Sequence, residues 1–223
     1  MIKKVIIILL FFIIITSKKI KDSNNNCILC RQSPINIIPT NYIINKNNII
    51  NFLYKGRDII ASKNYISQNK NYQFNVIKPN NYKLIFNNNT YNLIQYHFHK
   101  PSEHKLLSNI FDMEIHFVHK NPNKNHYIVV AFFISFEKGS SPLFDDAIKL
   151  SDKPKINLNN ILNNKFYHYN GSLTTDPFTT NVSWIVFNDI VKTNFTPKFV
   201  NQLWNNKAKA RKINDHCNTE LLT

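Results

Sequence analysis

Glycine is scarce in this chain of 223 residues, in which only three glycines occur. Phosphate-binding loops of the GxGxxG and Walker types need closely spaced glycines, so the sequence excludes both kinds of nucleotide site. Charged residues are also few, at 18%. Hydrophobic residues nevertheless make up 43% of the chain, with 17 Phe and 10 Tyr. That apolar content is enough for a packed core, and it excludes a wholly disordered chain.

Acidic residues are the less used charged class, because 13 Asp and Glu stand against 28 Lys and Arg, a formal net charge of +15. A basic chain suggests an anionic partner such as nucleic acid or a membrane face. The basic residues here are dispersed, however, and the sequence contains no nucleic-acid-binding motif. Heavy use of Lys, Asn and Ile is typical of an AT-biased genome, so we expect no nucleic-acid partner.

Cysteine is nearly absent too, with only Cys27, Cys30 and Cys217. An odd number in an exported protein leaves one thiol unpaired or joined to another chain. Cys27 and Cys30 have CxxC spacing, but a single CxxC without a second pair is weak evidence for a zinc or redox site. We interpret all three cysteines as structural or incidental.

No hydrophobic run reaches the roughly 20 residues that a transmembrane helix needs. The longest run, residues 5–15 (VIIILLFFIII), follows a short basic start and precedes a polar stretch. This order is typical of a secretory signal, so we predict that residues 1–22 form a signal peptide or, if uncleaved, an N-terminal anchor. The protein is then expected to be secreted or periplasmic, without stable membrane insertion after cleavage, or membrane-anchored if the segment is retained.

Residues 27–217 have the pattern of one β-rich domain, followed by a short tail at 218–223. Runs of β-branched and aromatic residues alternate with clusters of Asn, Pro, Lys and Ser, as expected for strands and turns. Helical periodicity is limited to 143–150 and 197–204. The predicted fold class is therefore mainly β, with a largely antiparallel sheet and short peripheral helices. The predicted strands include residues 72–77, 82–86, 91–99, 113–119, 127–136 and 182–187.

Histidines provide the strongest chemical signal in the sequence. Alternate residues of a strand point to the same face, so His97 and His99 project together from the run QYHFH. In the run MEIHFVH, Glu114, His116 and Val118 share a face. If the two strands are neighbours, His116 completes a cluster of three imidazoles. Three neutral imidazoles with one open position are the ligand set of a catalytic zinc site.

The alternative is that these are ordinary buried histidines whose ring nitrogens are satisfied by hydrogen bonds. A single histidine would favour that interpretation, whereas two strands with H-x-H and E-x-H patterns favour the metal. A metal-bound histidine usually donates its other N–H to an acceptor that is not itself a ligand. Gln95 and Glu114 each lie two residues from a predicted ligand, and so on the same face, which makes them candidates for that acceptor.

Four segments, two of which contain these histidines, follow one another along the chain: QSPINI (32–37), QYHFHKPSEH (95–104), MEIHFVHKN (113–121) and GSLTTDPF (171–178). Their order and spacing resemble the α-class of carbonic anhydrases. The form of the second segment and its short distance from the third histidine are similar to the bacterial branch of that family. The resemblance covers roughly residues 27–215.

This resemblance implies a fold and a ligand set. The fold is a central, twisted, mostly antiparallel sheet with zinc at the bottom of a conical cleft. His97, His99 and His116 match the zinc ligands of the family. Gln95 and Glu114 match the acceptors that hold those ligands, which agrees with the argument from strand faces.

The resemblance also implies a reaction, the reversible hydration of CO2 to bicarbonate and a proton by attack of zinc-bound hydroxide. Thr174 matches the gatekeeper threonine of the family, Glu103 the carboxylate that orients it, and Thr175 the next residue beside the reacting solvent. The hydrophobic CO2 pocket is matched by Val118, Val129, Leu173, Val182 and Trp184.

Several positions depart from the family pattern. Tyr72 stands at the position of the proton-shuttle histidine, and a phenol with a pKa of about 10 is a poor proton relay near neutral pH. Turnover is therefore expected to be limited by proton transfer and to respond to buffer. Phe178 occupies a position that is Cys in many bacterial relatives, so their disulfide cannot form here. Asp176 replaces a proline, and residues 209–214 are a loose copy of the late Asn-x-Arg-Pro-x-Gln segment.

Two other functions remain open from the sequence. One is a carbonic-anhydrase-like binding module, whose basic face would bind an anionic surface partner. Such modules typically lose zinc histidines, whereas all three are present here. The other is a zinc esterase with the same ligands. For the enzyme, the expected partner is the small-molecule substrate, CO2 or bicarbonate, and the sequence implies no oligomeric state.

Overall fold

A computed structural model gives the fold of the chain. It describes residues 31–38, 42–43, 50–54, 56–137, 142–159, 161, 165–214 and 221–222. The predicted signal or anchor segment at 1–22 and all three cysteines lie outside these residues. Of the predicted tail at 218–223, only residues 221–222 are described.

Strands dominate the described residues. Fourteen are present in those ranges: β1 (Asn36–Ile37), β2 (Tyr42–Ile43), β3 (Ile50–Phe52), β4 (Ile59–Ile66), β5 (Asn71–Val76), β6 (Lys83–Phe86), β7 (Asn89–His99), β8 (Lys105–Leu106), β9 (Met113–Lys120), β10 (Tyr127–Ser135), β11 (Lys155–Ile156), β12 (Phe166–Gly171), β13 (Val182–Lys192) and β14 (Leu221–Leu222). The six predicted runs are confirmed as β5, β6, β7, β9, β10 and β13. Their ends shift by one or two residues, except that β13 continues five residues further than predicted.

Helices are short, as the sequence predicts. They are α1 (Asp145–Ile148) and α2 (Pro197–Leu203), with 3₁₀ turns at Pro79–Asn81 and Pro142–Phe144. The start of α2 is fixed by its cap, because the Thr196 hydroxyl accepts a hydrogen bond from the Phe199 amide at 3.3 Å. Among the described residues, no helix is long and apolar enough to cross a membrane.

Twelve of the strands form one sheet. Its order is β11-β4-β5-β7-β9-β10-β13-β12-β14-β2, with β6 paired to β7 and β3 to β6. Within this sheet, the pairs β10–β13 and β14–β2 are parallel and the other described pairs are antiparallel. β1 and β8 form a separate parallel pair. The prediction of a mostly antiparallel sheet is confirmed, and β7, β9 and β10 lie at its centre.

The two faces of the central strands are both buried but differ in content. One face carries a large aromatic cluster, in which the rings of Phe74 and Tyr96 are stacked with centroids 4.9 Å apart. Burying one such side chain stabilises the fold by about 1.5–3 kcal/mol, so this cluster is a main source of stability. The other face carries the three histidines together with a smaller cluster that includes Val129 and Trp184. Strand alternation therefore places the large aromatic cluster on one face of the central strands and the three histidines on the other.

A β-bulge in β7 resets which residues face the histidines. Leu93 pairs with His119 in β9, whereas Gln95 pairs with Val118, so β7 contains one extra residue, Ile94. Before the bulge the odd-numbered residues of β7 face the large cluster, and after it the even-numbered ones do. The bulge thereby sets Gln95 on the same face as the histidines that follow it.

His119 is buried on the face of β9 that packs into the large cluster. Its Nδ1–H donates to the Phe117 carbonyl oxygen at 3.1 Å, and its Nε2 accepts from the Tyr54 hydroxyl at 2.8 Å. Burial lowers the pKa of His119 from 6.5 to about 4. The native protein therefore keeps this imidazole neutral at pH values where the unfolded chain protonates it.

We expect acid to destabilise the fold through His119. As the pH falls from 6.5 to about 4, only the unfolded chain binds this proton, so the free energy of unfolding falls. The contribution is about 3 kcal/mol across the whole window. In His119→Gln this pH-dependent contribution to the free energy of unfolding should vanish. The variant should also be less stable at neutral pH, because the hydrogen bond with Tyr54 is disturbed. Urea unfolding at neutral and acid pH measures both effects, and an identical pH dependence in the two proteins would contradict the prediction.

Candidate functional site

Three histidines meet at the centre of the sheet. β7 and β9 are antiparallel neighbours whose register sets His97 opposite His116 and His99 opposite Glu114. Residues directly opposite each other in an antiparallel pair share a face, so all four side chains converge. One ring nitrogen from each histidine lies within 4.8 Å of those of the other two. The structure thus brings together the three residues that the sequence predicts as ligands.

Two of the imidazoles are held by side chains two residues away. His97 Nδ1–H donates to Gln95 Oε1 at 2.9 Å, and His116 Nε2–H donates to Glu114 Oε1 at 2.7 Å. Burial lowers the pKa of both imidazoles, so both are neutral. Each hydrogen bond fixes which ring nitrogen carries the proton. The other nitrogen, Nε2 of His97 and Nδ1 of His116, is left with a free lone pair.

The contacts of the two ring nitrogens of His99 show whether a cation fits this cluster. Its Nδ1 lies 3.4 Å from the Lys209 carbonyl oxygen and 3.3 Å from Glu103 Oε1. Its Nε2 is buried and has no hydrogen-bond partner in the described part of the chain. Burial lowers the pKa of His99 to about 4, which leaves this nitrogen an unused lone pair. A buried lone pair beside two other neutral imidazoles fits Zn²⁺, for which imidazole nitrogen is a preferred ligand.

Glu114 accepts four hydrogen bonds at the base of the site. Its Oε1 accepts from His116 and from His104 Nδ1–H, both at 2.7 Å. Its Oε2 accepts from the amides of Glu103 and His104, both at 2.8 Å. Burial by itself raises the pKa of this carboxyl, but His104 and His116 outweigh burial and hold the pKa well below its ordinary range. Glu114 is therefore a buried carboxylate that orients His116 and anchors the turn carrying Glu103.

Glu103 lies between the histidines and the loop that carries Thr174. Its Oε1 accepts from the Arg211 amide at 2.8 Å, and its Oε2 lies 3.9 Å from His116 Nδ1. Burial raises the pKa of Glu103 to about 7. The neighbouring His116, the Thr174 side chain and the Arg211 amide act in the opposite sense. The structure therefore brings Glu103 and Thr174 together, and Thr174 lines the cleft beside Thr175.

A cleft of about 220 Å³ opens beside His97. Four of the five predicted pocket residues line it: Val118, Val129, Leu173 and Trp184. The fifth, Val182, is buried in the smaller cluster and pairs with Tyr127 across β10 and β13. An apolar wall beside polar groups can hold a small apolar molecule against a reacting centre and exclude water from it.

Comparison with known proteins decides the family. The sequence profile of the eukaryotic-type carbonic anhydrases matches residues 17–218. The chain belongs to the α-carbonic anhydrase family. Alpha carbonic anhydrase 3 of Arabidopsis thaliana is 30% identical over 174 residues, which are 72% of this chain. The carbonic anhydrase of Neisseria gonorrhoeae is 32% identical over 163 residues, or 70% of this chain. The matched regions span 61% and 62% of these two curated relatives, about three fifths of their lengths.

Solved α-carbonic anhydrases share the fold. The α-carbonic anhydrase of Photobacterium profundum superposes with a TM-score of 0.70 at 22% identity, over 87% of this chain and 89% of that one. The enzyme from Thermovibrio ammonificans, solved with sulfanilamide, gives a TM-score of 0.70 at 21% identity, over 86% and 87% of the two chains. Identities this low show a common fold.

The carbonic anhydrase fold places Tyr72 on the face opposite the histidines. In β5, Gln73 pairs with His97 and lines the cleft. The Tyr72 ring instead packs edge-on against Trp204, with centroids 5.7 Å apart, and its hydroxyl accepts from Lys207 Nζ at 3.1 Å. The structure thus separates the residue at the shuttle position from the cleft, and a role for Tyr72 in proton transfer stays a prediction from the resemblance.

Three further residues line the cleft of this family member and are not among those predicted from the sequence: Gln73, Ile94 and Tyr127. Tyr127 lies two residues before Val129 in one strand, so the period of two would have indicated it. Gln73 requires the pairing between β5 and β7, which the sequence does not specify. Ile94 faces the cleft because it is the extra residue of the bulge, for which the sequence gives no signal.

Proposed function

We propose that this chain is a zinc-dependent carbonic anhydrase that hydrates CO2 reversibly to bicarbonate and a proton. The observation that carries the proposal is the cluster of three imidazoles, of which His99 and His116 are buried and His97 is partly buried, beside an apolar cleft. His97, His99 and His116 would hold the Zn²⁺. Bound zinc supplies a hydroxide nucleophile near neutral pH by lowering the pKa of water to about 7, and carbonic anhydrase is itself the reference case for this effect.

The apolar wall would bind CO2. CO2 is small and has no net dipole, so dispersion contacts and exclusion of water hold it better than hydrogen bonds would. Val118 pairs with Val129 across β9 and β10, and Val129 pairs with Trp184 across β10 and β13. The position of this wall relative to His97 is therefore fixed by the register of the central strands.

Thr174 would orient the nucleophile. A Thr174 hydroxyl that donates to the Glu103 carboxylate has only lone pairs left for other partners. It would therefore accept a hydrogen bond from the nucleophile, whose own lone pair would then be directed toward CO2. The Arg211 amide holds Glu103 Oε1 in place for this role. Thr175, the next residue, also lines the cleft.

Each turnover releases a proton that must leave the cleft. Among the described residues that line the cleft, the single imidazole is that of His97, a proposed ligand. No second imidazole is present among the described residues of the cleft lining to relay the proton, so small buffer molecules would carry the proton out of the cleft. Imidazole suits this task because its pKa lies near neutral pH.

Stopped-flow CO2 hydration of the purified protein tests the proposal before and after chelation and after zinc is restored. We expect about one zinc per chain, loss of activity with the metal, and recovery with zinc. In imidazole buffer kcat should rise several-fold, because proton removal limits turnover. A zinc-loaded protein that hydrolyses an activated ester but leaves CO2 untouched would favour a zinc esterase instead. A protein that binds no zinc would favour a binding module.

A further inference from the structure

Among the described residues of the C-terminal segment, Arg211 contacts the loop that carries Thr174. The guanidinium carbon lies 3.7 Å from the centroid of the Phe178 ring. One guanidinium nitrogen also donates to the Ser33 carbonyl oxygen at 2.6 Å. The Arg211 amide donates to Glu103 Oε1 at 2.8 Å. Arg211 therefore contacts the end of the Thr174 loop with its side chain and the partner of Thr174 with its backbone.

Phe178 holds its place in a backbone conformation that non-glycine residues rarely adopt. Its φ is +57°, in the left-handed region. Its amide donates to the Thr175 carbonyl oxygen at 2.8 Å, which closes the turn after Thr174. Gly or Asn would adopt this conformation at lower cost, so the aromatic side chain must contribute something else. The described contact that distinguishes it is the stack on Arg211.

The beginning of the same loop is fastened separately. The Ser33 amide donates to Ser172 Oγ at 3.0 Å, and the Ser172 amide donates to Ser33 Oγ at 3.1 Å. Thr174 lies between this reciprocal pair and Phe178. The Leu173 amide also donates to the Thr179 carbonyl oxygen at 2.8 Å, and Gln32 Nε2 donates to the Phe178 carbonyl oxygen at 3.5 Å. If the Phe178 stack opens, the loop keeps these bonds but loses its side-chain contact with Arg211, and the Thr174 hydroxyl is then held less firmly in one direction.

We propose that the Phe178–Arg211 stack positions Thr174 against Glu103, and that Phe178 is a positioning residue for catalysis. The inference rests on the proposed function, because it takes Thr174 to act on the nucleophile. Arg211 holds both partners of the Thr174–Glu103 pair, so movement of its side chain displaces one partner relative to the other. A guanidinium over an aromatic face is attractive, most strongly where water is excluded.

Three variants and one control separate positioning from general stability. Phe178→Leu removes the ring and keeps an apolar side chain, whereas Phe178→Trp keeps an aromatic face. Arg211→Lys breaks the same stack from the other side and leaves the backbone bond to Glu103 possible. Phe195→Leu is the matched control. Lys149 Nζ lies 5.6 Å from the Phe195 ring, which is a cation–aromatic contact of the same kind. The Phe195 ring, however, packs against the large aromatic cluster and is not part of the Thr174 loop.

Hydrogen exchange of residues 172–180 in metal-free protein gives a readout that needs no activity. We expect exchange to be about 10-fold faster in Phe178→Leu and Arg211→Lys, and near wild type in Phe178→Trp and Phe195→Leu. In zinc-loaded protein, kcat/KM for CO2 should fall about 10-fold in the first two variants. The fall in kcat should be smaller, because proton removal limits kcat.

Unchanged exchange in Phe178→Leu would overturn the proposal, and so would faster exchange with an unchanged kcat/KM. Equal losses of kcat and kcat/KM in Phe178→Leu and Phe195→Leu would also overturn it, since general destabilisation would then explain both. If the wild-type protein itself hydrates no CO2, the proposed function fails, and the exchange measurement still decides whether Phe178 holds the loop.

Discussion

Replacing His97 with Ala is expected to abolish zinc binding and CO2 hydration together. His97 is the proposed ligand that lines the cleft, and its removal leaves two imidazoles, one fewer protein ligand than catalytic zinc sites use. Enzymes typically accelerate their reactions by about 10⁶-fold or more, and in the proposed mechanism that acceleration depends on the metal. We therefore expect kcat/KM to fall by at least about 10³-fold.

The matched control for this change is His126→Ala. His126 is a partly buried imidazole outside the cluster, with Nδ1 3.2 Å from the Tyr91 hydroxyl oxygen. Its loss should leave zinc content and hydration rate near those of the wild type. Metal analysis and stopped-flow rates on the same preparations measure both quantities. A His97→Ala protein that retained full zinc and full activity would contradict the ligand assignment.

Replacing Glu114 with Gln is expected to weaken both the zinc site and the fold. The two side chains have nearly the same shape, so packing is unchanged. Each oxygen of the Glu114 carboxylate, however, accepts two hydrogen bonds. The Gln side chain replaces one of these oxygens with an NH₂ group, which cannot accept the two N–H groups that point at that position. Two buried donors lose their acceptor, so we expect about 2–4 kcal/mol less stability in metal-free protein. Zinc affinity should fall by about 10–100-fold, because a neutral amide oxygen orients His116 less strongly than a carboxylate and raises its basicity less.

Gln95→Leu provides a graded comparison for Glu114→Gln. Gln95 accepts a single hydrogen bond from His97, at 2.9 Å, and it is a partly buried residue that lines the cleft. Its loss should reduce zinc affinity by no more than about 10-fold and barely affect unfolding. Competition with a chromophoric chelator measures the affinities, and urea unfolding measures the stabilities. Wild-type zinc affinity in Glu114→Gln would show that this carboxylate does not govern the ligand.

The three histidines could be predicted from sequence because their placement depends on a local rule. Alternation along a strand assigns His97 and His99 to one face, and the same rule assigns His116. What the sequence does not specify is the pairing of the two strands, which depends on contacts between distant residues. Resemblance to a known family supplied the three-histidine set as an expectation, and the structure pairs β7 with β9 so that the three side chains meet.

The remaining features of the site depend on tertiary contacts without periodicity. Tyr72 matches the shuttle position by spacing alone, but the pairing of Gln73 with His97 sets it on the other face. The bulge at Ile94 changes the parity of β7 without any glycine or proline to mark it. The stack of Phe178 on Arg211 joins loops 33 residues apart in sequence, whose conformations no local pattern specifies. Fold class was accessible because strand composition and turn residues repeat along the whole chain.

The separation of the two faces has a consequence for how the protein matures. The large aromatic cluster lies on the face opposite the three histidines, and its described members include none of them. The core that drives folding is therefore complete without the metal. The chain can thus fold before it binds the zinc proposed for the three histidines, so the time of folding need not be the time of activation.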